Sequence, residues 1–266
     1  MHALLTEYFR DKSNLDLDRT MDYFSRAGTT YLDATLGWAM HSWQEVYDAF
    51  AQNMPNWPPV SASYPTRVIG DENSAIVFFT DAAGMFGPKE IRLAGAVDVR
   101  DGKIVRWVDY WDGRHFGVES FQKLRMPEAP TDYGEARAGV AASEAAQQTV
   151  TNLTSALRAG NPPAAVECFT PDAVYEDLPA HLQVIGQQSI GAFLTKAAKP
   201  LPYAGPDVEV RHVLSGGYEW TGPDGFGITA LELDDEARIS RLTSTWNGAL
   251  VTPDTLLELA AAAIEY

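Results

Sequence analysis

The chain has 266 residues, 45% of them hydrophobic and 11% aromatic, with a formal net charge of −16. That length and apolar share can fill two globular cores, while the negative charge disfavours nucleic acid and anionic lipid as partners. No stretch approaches the about 20 apolar residues of a membrane span, the N-terminal MHALLTEYFRDK has neither the basic start nor the apolar core of a secretory leader, and a lone cysteine, Cys168, excludes an internal disulfide framework.

A cytoplasmic protein is therefore expected. Along the chain, apolar residues at helical spacing predict helices over 3–10 (Leu4, Leu5, Tyr8, Phe9) and 17–27 (Leu17, Met21, Phe24). The β-branched and aromatic TTYLDAT predicts a strand. Ser42, with Glu45 three residues on, is placed to cap a helix over WQEVYDAFAQNM. Four strands follow, SYPTRVIG, SAIVFFTD, EIRLAGAVDV and IVRWVDYW, separated by turn residues such as Asp101-Gly102. Helices followed by an antiparallel sheet make an α+β domain. The Pro-, Gly- and Ala-rich run from Arg125 to Ala145 predicts a linker that enters a helix.

The same order then recurs: helices over 140–159 and around 163–169, a strand at VYED, a helix at SIGAFLTKAA, and strands at VEVRHVL, GYEW, GITALELD and RISRLTSTWN. The copies can be aligned residue by residue. Tyr31 and Asp33 match Tyr175 and Asp177 at an offset of 144, and the last strands match at an offset of 135, so the second copy is nine residues shorter in between. Two copies of domain size imply two homologous domains: residues 1–128, a linker over 129–139, and residues 140–266 with an abbreviated sheet.

The string VRDGKIVRWVDYWD closing the first sheet, and the YxD before a helix in both copies, resemble the SnoaL-like and limonene-epoxide-hydrolase-like branches of the NTF2-like superfamily. The tandem resembles the fused epoxide-opening cyclases of polyether biosynthesis. The resemblance implies two cones of helices around curved antiparallel sheets, no cofactor, a hydrophobic small-molecule substrate, and pairing through the sheets as an internal pseudo-dimer or a homodimer. It puts Tyr31, Asp33, Tyr175 and Asp177 where epoxide hydrolases hold the attacking water, and Asp109 at the position of their base. The arginine of that family is replaced by Ile76 or Phe78, and the base position of the second copy is Ser244.

Strand alternation puts Val105, Trp107, Asp109 and Trp111 on one face, and Arg106, Val108, Tyr110 and Asp112 on the other. A carboxylate between two indoles loses solvation, which raises its pKa and suits it to proton transfer near neutral pH. Asp33, from a neighbouring strand, is its expected counterpart, and Asp112 is expected to cap or to pair with Arg114 or Arg106. In the second copy Glu209, which shares a strand face with Arg211, is the expected partner of Asp177. Trp38, Trp107, Trp111 and Trp246 join Tyr31 and Tyr175 as candidate substrate contacts. The five histidines show no metal-binding spacing, and no glycine-rich phosphate loop occurs. These residues fit a cyclase that opens an epoxide or closes a polyketide or terpenoid ring. An isomerase or dehydratase would use the same carboxylates, and a non-catalytic binding protein would need none of them.

Overall fold

Alternating strands separated by tight turns build the same sheet twice. The computed structural model describes residues 1–59 and 62–264, and the chain divides into two units, Met1–Ala141 and Ala142–Tyr266.

The first unit runs α1 (His2–Ser13), α2 (Leu17–Asp22), β1 (Thr30–Asp33), β2 (Trp38–Met40), α3 (Trp43–Asn53), β3 (Ser63–Gly70), β4 (Ser74–Asp81), β5 (Ile91–Arg100), β6 (Lys103–Trp111), α4 (Val118–Leu124) and α5 (Glu135–Ala138). Its strands lie in the order β2-β1-β6-β5-β4-β3. Ser42 caps α3 as expected: its hydroxyl accepts from Glu45 N, and Glu45 accepts in return from His41 N at 2.7 Å. The first helices bury Leu5, Tyr8, Phe9 and Met21 against the sheet core. The second expected helix ends early at Asp22, because Tyr23 to Ser25 pair with Ile104 instead, Ile104 N donating to Tyr23 O and Ser25 N to Ile104 O.

The second unit runs α6 (Glu144–Arg158), α7 (Pro162–Val166), β7 (Phe169–Asp177), β8 (Leu182–Ile185), α8 (Gln187–Ala197), β9 (Glu209–Leu214), β10 (Gly217–Gly222), β11 (Gly225–Leu233), β12 (Ile239–Trp246) and α9 (Pro253–Ala262). Its order, β8-β7-β12-β11-β10-β9, is that of the first sheet. Two expectations change and one is borne out. Each sheet is mixed, since β1 runs parallel to β6 and β7 parallel to β12 while the other pairs are antiparallel. The second sheet keeps six strands and is abbreviated where expected: the β10–β11 connection is shorter than the β4–β5 one, and β9 to β12 are each one or two residues shorter than β3 to β6. Residues 129–139, expected as a linker, fold onto the first unit. There Arg106, fully buried and paired with Asp98 at 3.1 Å, donates through Nε to Tyr133 O at 2.7 Å. A buried guanidinium needs every N–H answered, and this carbonyl answers one.

Candidate active site

The Tyr-x-Asp of each copy ends a short strand and starts a tight hairpin. Asp33 Oδ1 accepts from Leu36 N at 2.8 Å, and Asp177 Oδ1 accepts from Ala180 N at 2.9 Å, so each aspartate holds its own turn. The last strand of each sheet then brings an indole to the same carboxylate: Trp111 Nε1 lies 3.1 and 3.0 Å from the two oxygens of Asp33, and Trp246 Nε1 lies 3.1 and 3.0 Å from those of Asp177. Up to this point the two sites coincide.

They diverge one residue pair away. In the first unit the parallel register of β1 and β6 pairs Tyr31 with Trp107 and Asp33 with Asp109. Tyr31 Oη donates to Asp109 Oδ2 at 2.7 Å and Trp107 Nε1 donates to Oδ1. Across β5, Gly95 lies opposite Asp109; a Cβ there would stand 3.2 Å from both Trp107 Nε1 and Val77 Cγ1. The bare backbone at Gly95 thus gives the indole its seat beside the acid.

Asp33 and Asp109 both line a cavity of about 340 Å³, within the range of small-molecule sites. Its walls are mostly apolar, including Leu36, Val46, Phe50, Trp57, Met85, Leu93, Trp111 and Phe116. Trp38, Phe86 and Leu124, each more than 40% exposed, mark its rim. Burial pushes the Asp33 carboxyl up to about 6, against the opposing pull of the Leu36 and Thr35 N–H groups and the Trp111 indole. Burial and the charge of Asp33 push Asp109 up to about 7, although the Tyr31 and Trp107 donors favour its ionised form. Two carboxyls in one cavity with separated pKa values can divide the roles of acid and base.

A third carboxyl, Asp81 at the end of β4, also lines the cavity. Lys12 Nζ meets its Oδ1 at 3.1 Å, with both side chains about 95% or more buried, and Ser63 Oγ donates to the same oxygen. Neither Lys12 nor Asp81 was among the expected site residues. The sequence does carry the signal: Lys12 continues the buried stripe of Leu5, Tyr8 and Phe9 along α1, and a lysine on an apolar stripe requires an acidic partner.

The second unit answers the same positions differently. Ser244 takes the place of Asp109 and bonds Thr229, the Gly95 equivalent, Oγ to Oγ1 at 2.9 Å. Leu242 stands where the first unit has Trp107. Tyr203, from the loop after α8 and missed by sequence reasoning, donates to Asp177 Oδ2 at 2.8 Å, and its hydroxyl also bonds that of Tyr175. Tyr175, Phe193, Leu201, Tyr203, Tyr218, Trp220 and Trp246 are all buried in one apolar core. Trp220 lies so close to Gly227 that a Cβ there would stand 2.5 Å from the ring. Asp177 is fully buried in this interior and accepts from Ala180 N, Tyr203 Oη and Trp246 Nε1.

The structure thus brings together Tyr31, Asp33, Trp107, Asp109 and Trp111, with Trp38 at the rim, and it joins Tyr175, Asp177 and Trp246 in a packed core. Glu209 is not brought to Asp177. It begins edge strand β9 exposed to solvent, whereas Val208 and Val210, its neighbours of opposite facing, pack on the core. Asp112 caps the turn after β6 and bonds Arg114 Nε at 2.7 Å. Among the described residues no group of three or more His, Cys, Asp or Glu is placed to hold a metal ion, and no helix is long and apolar enough to cross a membrane.

No family model and no curated protein matches the chain. Solved structures do. An NTF2-like protein of unknown function from Cytophaga hutchinsonii is 12% identical, with a TM-score of 0.36 over 42% of this chain and 90% of its own. A protein of Sinorhizobium meliloti provisionally named a polyketide cyclase is 18% identical, with a TM-score of 0.35 over 40% of this chain and 93% of its own. SalBIII, an epoxide hydrolase/cyclase-like enzyme with a role in pyran ring formation in the polyether salinomycin, is 16% identical, with a TM-score of 0.37 over 43% of this chain and 92% of its own. Each of these three structures matches less than half of the chain's length.

Proposed function

We propose that the first unit is a cofactor-independent acid/base catalyst that closes a ring by opening an epoxide within an apolar small molecule, and that the second unit carries no chemistry. The observation that carries the reading is the pairing of Asp33 and Asp109 in the wall of an apolar cavity, both held toward their protonated forms. Near neutral pH Asp33 is the more ionised of the two and Asp109 the more protonated, so Asp33 serves as base and Asp109 as acid. A hydroxyl oxygen of the substrate bonds to one epoxide carbon as that carbon's bond to the epoxide oxygen breaks. Asp109 gives its proton to the departing oxygen, and Asp33 takes the proton of the attacking hydroxyl. The product is an isomer of the substrate, and one proton passed from Asp33 back to Asp109 restores the site. The apolar walls exclude water that would compete as nucleophile.

The test is single-turnover mass spectrometry on a panel of hydroxy-epoxides with apolar chains. Asp109→Asn should slow conversion by about 10²–10⁴-fold, the usual worth of a positioned acid. Conversion undiminished in Asp109→Asn and Asp33→Asn would remove the chemistry from this pair. Saturable binding without conversion by the wild type would favour a binding protein.

A further inference from the structure

Lys12 and Ser63 both bond Oδ1 of Asp81, and Oδ2 accepts from no donor among the described residues. The side chain is nonetheless about 95% buried, and it lines the cavity. That oxygen is not sealed in the protein interior but remains open to the cavity, which is where a donor can arrive. Lys12 stands behind it, its ammonium 5.6 to 5.9 Å from the centroids of Phe9, Trp57, Phe79 and Phe86. The ammonium offsets the charge of Asp81, so the exposed oxygen presents an acceptor without a net negative pole. That favours a neutral O–H donor over a cation.

Resting on the reading of the cavity as a substrate site, we infer that Asp81 Oδ2 is a specificity-determining contact that accepts a hydrogen bond from a substrate hydroxyl not involved in the reaction. Lys12 and Ser63 are positioning residues that fix which oxygen faces inward. The substrate class is thereby narrowed to an apolar molecule with a free hydroxyl set apart from its reacting centre. Asp109 and Asp33 spend their oxygens on Tyr31, Trp107, Trp111 and Leu36, whereas Asp81 keeps one whole oxygen for the ligand.

The experiment compares two probes with one skeleton, 4-phenyl-1-butanol and butylbenzene, titrated into the full-length protein by ligand-observed NMR. Wild type should bind the alcohol about tenfold more tightly, as expected of a hydrogen bond to a charged acceptor. The double variant Lys12→Met/Asp81→Leu removes the pair without stranding a buried charge, and should bring the preference below about twofold while butylbenzene still binds. If the double variant does not fold, Asp81→Asn keeps the shape and should lower the preference about threefold. An equal affinity of wild type for both probes overturns the inference and leaves the catalytic reading standing. So does a preference that survives the double variant but disappears in Asp109→Asn, since the acid pair would then hold the hydroxyl. Failure of wild type to bind either probe overturns both.

Discussion

Asp33 and Asp109 are direct partners in the parallel register of β1 and β6, so ionisation of one acts on the other. The acid with the higher pKa is the one on the longer, central strand, and it is the one whose proton the proposed reaction spends.

Catalysis by this pair requires Asp33 ionised and Asp109 protonated. The rate should therefore rise as pH passes about 6 and fall as it passes about 7, giving a narrow bell for kcat/KM whose two apparent pKa values belong to the pair. A pH–rate profile checks this. A plateau extending well above pH 8 would contradict the assignment of acid and base.

Removing the Tyr31 hydroxyl takes away a donor that favours ionised Asp109. Tyr31→Phe should move the alkaline limb of the profile upward, and it should weaken catalysis less than Asp109→Asn does. The shift of that limb is the readout, since a merely structural role for Tyr31 would lower activity at every pH alike.

The same shift has a cost in stability. Unfolded, Asp109 titrates near 3.8, and folded near 7, so the folded chain binds the extra proton through that window and loses stability as pH rises across it. Asp109→Asn removes this loss. Its melting temperature relative to wild type should be more favourable at pH 8 than at pH 4, by a free energy on the order of 2–4 kcal/mol. Calorimetry at the two pH values decides it.

In the second unit, Asp177→Asn weakens the anchoring of Tyr203, Trp246 and the Ala180 turn inside a closed core. It should destabilise that unit by about 1–3 kcal/mol in denaturant unfolding, with conversion by the folded protein intact. Glu209→Gln, on an exposed edge strand, should change neither stability nor turnover measurably.

The strands β3 to β6 were legible because each pairs a clear run of β-branched and aromatic residues with turn residues at its ends, and the repeat carried that reading into the second half. The short strands β2 and β8 were not, since Trp38-Ala-Met and Leu182-Gln-Val-Ile are too brief to display a period. Alternation correctly put Trp107, Asp109 and Trp111 on one face. It failed at Glu209, because spacing says which residues share a face and not which face an edge strand turns inward. Tyr203 and Asp81 reach their partners from elements remote in sequence, 26 residues from Asp177 and 69 from Lys12, and no local pattern encodes such a meeting.

Gly95 and Thr229 occupy one position in the two sheets, opposite Asp109 and Ser244. An aspartate restored at 244 alone would meet a threonine hydroxyl across the strand and a leucine at 242 in place of an indole. The two halves therefore differ at one position across the strand: a Cβ added at Gly95 would press on the Trp107 indole at 3.2 Å, whereas at Thr229 a hydroxyl already answers Ser244.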